Sequence, residues 1–239
     1  MKPKEWDLSG KNALVTAGGD FISNAAIVAL EEAGANVCVL NFDSHSSSGN
    51  NIFFSERNNR KSLLESLDKI EKEFGNINIL VNCAQSVLGK PFVDTTDSEL
   101  NFLLDTNIRN TLLVIQEVGK KMLNHEYGRI INVISALAQI GLKNAVLYSA
   151  TQAAIEQITK SLSLEWALEN IRINSIAMGW FKDQITDEAQ KQNLSKYIPL
   201  RRLGESEEIG PLLVYLASEF SDFVTGQTIF VDGGAASHA

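Results

Sequence analysis

Short apolar runs alternate with helix-period stretches along the whole chain, and few architectures accommodate that alternation. Asn12–Thr16, Asn36–Leu40, Ile52–Phe54, Ile77–Asn82, Arg129–Ile134, Ile171–Ala177 and Gln227–Val231 read as strands. Ile22–Ala33, Arg60–Phe74, Ser98–Leu123, Leu147–Glu169 and Glu205–Ala217 carry the helical spacing between them. Parallel strands need long crossover connections, usually helices, so this order predicts an α/β fold with a doubly wound, parallel, seven-stranded, Rossmann-like sheet. Gly34 and Gly75 fall where two of the helices should stop. With 239 residues, no repeat and no long linker, the chain is expected to form a single domain over 1–239.

One connection breaks the pattern. Asn41–Asn51 is polar and Ser-rich and leaves no room for a crossover helix between the second and third strands. Its composition predicts a mobile surface segment.

Apolar residues make up 44% of the chain and charged residues 21%, as in ordinary globular proteins. A net charge of −8 argues against nucleic acid or an anionic membrane as partner. No run is apolar for long enough to span a bilayer, and Met1–Lys11 offers no apolar stretch for a signal peptide, so a cytoplasmic protein is expected. Cys38 and Cys83 lie in apolar strand-like runs and read as buried free thiols. His45, His125 and His238 have no metal-ligand spacing, so no metal is expected.

From the fifth strand onward, motifs accumulate in a specific order. Gly128-Arg-Ile-Ile-Asn-Val-Ile-Ser135 is followed by Tyr148, with Asn107 on the long helix before it. Ile171-Arg-Ile-Asn174, Gly179, the run Ile198–Ile209 and Val231-Asp-Gly-Gly234 complete the series. In this order and spacing the chain resembles the short-chain dehydrogenase/reductase family over essentially its whole length. The resemblance implies that Tyr148 exchanges the substrate proton, Ser135 hydrogen-bonds the carbonyl or hydroxyl, and Asn107 positions a relay water.

The chain departs from that family at the cofactor and at the catalytic lysine. A dinucleotide site in this fold uses glycines after the first strand for a tight turn and for close approach to the pyrophosphate. Where the family reads Thr-Gly-x-x-x-Gly-x-Gly, this chain has Thr16-Ala17-Gly18-Gly19-Asp20-Phe21-Ile22-Ser23. Ala17 and Ser23 are small, but the Phe21 ring is expected to stand where backbone amides meet phosphate. Asp20 brings negative charge to a helix N-terminus that would otherwise attract an anion, or serves as its cap. Asn41 replaces the acid that holds a ribose, and Gln85 replaces a glycine in Asn82-Cys83-Ala84-Gln85. Gln152 replaces the lysine of Tyr-x-x-x-Lys, and a neutral amide stabilises tyrosinate poorly.

These departures predict a chain that binds no cofactor itself. The expected role is a non-catalytic subunit of a heteromeric dehydrogenase, most simply a tetramer, in which an intact homologue binds NAD(P) and acts on a hydroxyacyl or related alcohol or ketone. In kind it resembles the degenerate subunit of (hydroxybenzyl)succinyl-CoA dehydrogenase. Two alternatives are an active oxidoreductase with altered NAD(P) binding and a ligand-binding or regulatory homo-oligomer. Trp180–Tyr197 corresponds to the family's substrate lid, where Trp180, Phe181 and Tyr197 line a pocket or meet a neighbouring subunit.

Overall fold

The computed structural model describes residues 6–17, 20–42 and 51–238. Its strands are β1 (Asn12–Ala17), β2 (Asn36–Asn41), β3 (Ile52–Phe54), β4 (Ile79–Asn82), β5 (Gly128–Ser135), β6 (Ile171–Met178) and β7 (Thr228–Val231). They form one parallel sheet in the order β3-β2-β1-β4-β5-β6-β7. The expected doubly wound, seven-stranded α/β architecture is therefore present.

The main helices are α1 (Phe21–Glu32), α2 (Arg60–Phe74), α3 (Asp97–Leu103), α4 (Asn110–Asn124), α5 (Val146–Trp166), α6 (Glu188–Tyr197) and α7 (Gly210–Ala217). Residue alternation along the strands explains why both faces of the sheet are covered. Ala13 and Val15 point into one apolar core, with Ile22, Ala26 and Leu30 of α1 and Leu213 of α7. Leu14 points to the other face, into a core with Leu63 and Leu67 of α2, Val118 of α4 and Trp166 of α5. α4 approaches α5 closely because Gly119 faces the Trp166 ring, where an added Cβ would come within 2.5 Å of ring carbon.

Local signals set α2 at both ends. Asn59 accepts a hydrogen bond from Ser62 N and caps the start, and Gly75, at φ 82°, provides the left-handed turn after Phe74. The spacing from Ser98 to Leu123 predicts one helix, but the structure has three pieces: α3, a π-helical turn over Leu104–Arg109, and α4. Such wide turns recur at functional sites, and this one contains Asn107. Periodicity misses it because one extra residue per turn barely disturbs the apolar stripe. The helix expected over Glu205–Ala217 is a 3₁₀ turn, Ser206–Ile209, followed by α7.

β2 and β3 pair in parallel, with Val39 opposite Ile52, despite the short connection between them. The expected mobile segment falls mainly on 43–50, outside the described residues. Cys38 and Cys83 are buried and free, as their apolar surroundings predict. Among the described residues no helix is long and apolar enough to cross a membrane.

A chain of buried polar groups fixes the position of α5 against the sheet. Asn82 Nδ2 donates to Asn132 Oδ1 (2.8 Å), Asn132 Nδ2 donates to Thr159 Oγ1 (2.9 Å), and Thr159 shares a hydrogen bond with Ser175 (2.8 Å). Unpaired, each of these groups would cost about 1–3 kcal/mol in the interior, so the chain disfavours axial slippage of α5.

Candidate active site

Strand order reverses between β1 and β4, and in open α/β sheets the crevice outside the carboxyl ends of such strands is where ligands bind. Thr16 closes the floor of this crevice. Its Oγ1 accepts hydrogen bonds from Cys83 N (3.1 Å) and Ala84 N (3.3 Å), tying the end of β1 to the turn after β4. The next strand, β5, ends at Ser135, and α5 carries Tyr148 and Gln152 one helical turn apart on the same side.

Tyr148 is buried, and its hydroxyl donates to Gln85 Oε1 (3.0 Å). Burial pushes its pKa up to about 12; a hydrogen bond with the Ser135 side chain opposes the rise, and the Asp20 charge adds to it. Tyr148, Ser135 and Gln85 are thus one hydrogen-bonded group, with Asp20 close enough for its field to reach the phenol. Cys83 is also held far above the ordinary thiol range, by burial and then by Asp20. A neutral, buried thiol is a poor nucleophile.

Gln152 is 2% exposed and turns inward. Its Oε1 accepts from the backbone N–H of Ser135 (2.9 Å), holding the end of β5 against α5. A lysine has no acceptor and cannot make this bond. The replacement therefore removes a cation and adds a brace under the serine.

Asn107 is buried, and its side chain grips the loop after β4. Its Oδ1 accepts from Ser86 N (2.7 Å), while Nδ2 donates to Ser86 O (2.9 Å) and Thr151 Oγ1 (3.0 Å). The side chain that the family resemblance assigns to a relay water is here a clamp between the Ser86 loop and α5. Neither Ser86 nor Thr151 carries a motif signal, so sequence reasoning had no means of finding them.

The dinucleotide positions differ from the expectation in one decisive place. Phe21 does not stand in the crevice. Its ring packs onto the apolar core and lines a groove of about 760 Å³ between α1 and α7, with Ala25, Val28, Pro211 and Val214. Phe21 is the first residue of α1, and its ring shares this groove with Pro211 and Val214 of α7. Ser23 is absorbed in the first helical turn, its N–H donating to Asp20 Oδ1 (2.9 Å) and its Oγ to Asp20 O (3.0 Å). Asn41 ends β2 as a buried, neutral side chain. Gln85 is a half-buried, unbranched side chain held by the tyrosine rather than a rigid block. A dinucleotide at the switch point would meet small or neutral side chains at Ser23, Asn41 and Gln85. What opposes it is the carboxylate of Asp20, which caps α1 where a diphosphate would lie.

Of the aromatic residues after β6, Trp180 and Tyr197 meet edge to face, with ring centroids 5.5 Å apart. Phe181 is buried and packs over Gly204. α6, not anticipated from the sequence, carries Tyr197 at its last residue.

Comparison with known proteins places this geometry. A sequence profile of the family described as Enoyl-(Acyl carrier protein) reductase matches residues 21–236. A chloroplastic tropinone reductase homolog of Arabidopsis thaliana is 32% identical over 97% of this chain and 77% of its own length. The 5-keto-D-gluconate 5-reductase of Escherichia coli (strain K12) is 30% identical over 96% of both chains. Among solved structures, a gluconate 5-dehydrogenase from Burkholderia cenocepacia J2315, in complex with NADP and tartrate, is 28% identical and covers 98% of both chains at a TM-score of 0.91. This last comparison overturns the expectation of a chain without a cofactor of its own. A protein of the same fold and length holds NADP, and the ring expected to obstruct phosphate here is turned away. The expected loss of catalysis has no support among these relatives either, two of which bear the names of a reductase and a dehydrogenase.

Proposed function

Because the chain belongs to the short-chain dehydrogenase/reductase family, we propose that it is an NAD(P)H-dependent carbonyl reductase with a modified cofactor cleft. The observation that carries this reading is the Tyr148–Ser135 pair at the carboxyl end of the sheet, with a phenol that keeps its proton. The dinucleotide, when bound, supplies the hydride. Everything else falls to the chain's own side chains. Ser135 Oγ hydrogen-bonds the carbonyl oxygen of the substrate, and Tyr148 Oη gives that oxygen its proton. Gln85 must release the phenol for this to happen, exchanging one hydrogen bond for another. Asn107 and Gln152 are positioning residues that hold the Ser86 loop and the Ser135 backbone.

The residues that would hold the cofactor are the N-terminal amides of α1, Asn41 at the end of β2, and the Ala84–Gln85 turn after β4. An acid near the ribose favours NAD and would repel a 2′-phosphate. The neutral Asn41 removes that repulsion, so NADPH is the expected partner. The test is a titration of NADPH and NADH by calorimetry, then an assay of cofactor oxidation with ketones. Asp20→Asn should tighten NADPH binding about five- to tenfold, since Asn caps a helix as well as Asp and the variant deletes only the charge. Equal affinity in the two proteins would show that Asp20 does not face the phosphates.

A second reading, compatible with the first, concerns assembly. α4, α5 and the 3₁₀ turn after α5 (Ala167–Glu169) present apolar side chains to solvent, with Leu164 84% and Leu168 96% exposed and Leu112 partly so. A groove between α5 and the π-helical turn leading into α4 is lined by Leu104, Ile108 and Leu162. This face is proposed to bury itself in an oligomer, with an intact homologue or with further copies of the chain. Light scattering of the protein alone and coexpressed with such a homologue reads this directly; a monomer in both preparations would refute it.

A further inference from the structure

Counting hydrogens around Tyr148 Oη leaves one need in the reaction unmet. Reduction carries a hydride to the carbonyl carbon, and the carbon–oxygen π pair moves onto oxygen and takes the phenol proton. The O–H bond of Tyr148 breaks and its electron pair stays on Oη, so a phenolate forms on a side chain that is 6% exposed. Water returns the proton after the product leaves. Until then an anion sits in a buried place, where the lack of a hydrogen-bond donor is costly. Among the described residues the one charge that acts on the phenol is that of Asp20, and its sign is wrong for the task.

The obvious donors are committed elsewhere. Ser135 has a single hydroxyl proton, which the substrate oxygen takes, and its Oγ accepts from Leu137 N (3.2 Å). Gln152 stands where the family has its cation, but its Oε1 accepts from Ser135 N (2.9 Å) and its Nε2 faces Thr151 Oγ1 (3.5 Å). Lys90, the next cation along the loop after β4, is held by both carboxylate oxygens of Glu99. Cys83 is a buried thiol that the field of Asp20 also keeps protonated. Gln85 differs from all of these. It is half-buried, its Oε1 lies 3.0 Å from Tyr148 Oη, and among the described residues its Nε2 meets no acceptor. The last torsion of a glutamine side chain is soft and roughly two-fold, so half a turn puts nitrogen where oxygen was.

Resting on the reductase reading above, we propose that Gln85 is a positioning residue whose carboxamide accepts from Tyr148 in the resting protein, turns over when the substrate oxygen takes that proton, and donates from Nε2 to the phenolate. The glutamine that replaces a family glycine thereby takes over one task of the family's lysine without carrying a charge.

The test uses Gln85→Met, which has no side-chain N–H, and Gln85→Lys, which brings donors and no acceptor. Cyclohexanone, ethyl acetoacetate and 5-keto-D-gluconate are each supplied at saturating NADPH and at saturating NADH, so that altered cofactor affinity does not enter kcat. Expected in Gln85→Met is a fall in kcat of about ten- to hundredfold, the scale of a hydrogen bond to a charged group, with KM for the ketone little changed. Gln85→Lys should keep a kcat near the parent's. A parental kcat in Gln85→Met, or an equal loss in both variants, overturns the proposal. A second arm needs no turnover. Tyrosinate absorbance is read in the first milliseconds after a jump to about pH 12, as the difference from the matching protein that also carries Tyr148→Phe. Gln85→Met should lose most of the parent's signal, because its phenolate has no donor; a signal equal to the parent's or larger overturns the proposal. No turnover by the parent defeats the reductase reading, and the absorbance arm then decides by itself whether Gln85 serves the phenolate.

Discussion

Tyr148→Phe is expected to lower kcat/KM for ketone reduction by about 10²- to 10⁴-fold, the usual contribution of a positioned general acid, while Tm and NADPH affinity stay near those of the parent protein. The phenyl ring keeps its buried packing and only the hydroxyl is lost, so a fall in rate reports chemistry rather than folding. The direction of the reaction follows from the phenol's environment. With its pKa pushed up to about 12, Tyr148 carries its proton at every physiological pH. Reduction, which uses that proton, should be level through neutral pH and decline only as pH approaches 12. Oxidation of the alcohol needs tyrosinate, and ionising this phenol at pH 7 costs about 7 kcal/mol. Its rate should therefore climb about tenfold per pH unit toward 12. An oxidation profile that levels off near pH 8 would mean that another group accepts the proton. The raised pKa also has a sign for stability. Below pH 10 the contribution is complete; as pH rises from 10 toward 12 the unfolded chain loses its tyrosine proton first, and the fold weakens.

Gln152→Lys should separate two roles that the family's lysine and this chain's glutamine do not share. The Ser135 N–H loses its acceptor in a buried place, which is expected to cost about 1–3 kcal/mol, or about 2–12 °C in Tm for a chain of this size. At the same time an ammonium one helical turn from Tyr148 favours tyrosinate, so the rise of alcohol oxidation should move to lower pH. Gln152→Met is the control, removing the acceptor without adding charge. It should match the loss in Tm and leave the pH profile where it was. If Gln152→Lys keeps the parent Tm while Gln152→Met does not, the brace under Ser135 is not what the glutamine provides. The pair of variants also bears on why a lysine is absent. A carbonyl reductase that works with a protonated tyrosine has less need of a cation whose main effect is to remove that proton.

The strands and most helices are legible in the sequence because their causes are local. Period-2 and period-3.6 apolar patterns follow from backbone geometry, and caps such as Asn59 and turn glycines such as Gly75 act within a few residues of where they stand. The choice of a doubly wound parallel sheet is equally a local matter, repeated: each apolar strand followed by a helix leaves little else to build. Tyr148, Ser135 and Asn107 stand out for a related reason, since their order and spacing along the chain are themselves the signal. The uses to which the departures from the family pattern are put were decided by tertiary structure alone. The direction of the Phe21 ring depends on the groove that α7 offers it from the far end of the chain. Gln152 is read as a missing cation until the end of β5 is seen to present it with an unpaired N–H. Gln85 reads as an obstruction until Tyr148 is found holding it. The π-helical turn around Asn107 serves contacts with Ser86 and Thr151, and α6, poor in apolar residues, has almost no pattern to betray it. Each of these depends on which distant residue supplies the partner, and a residue's own neighbours in sequence carry no record of that.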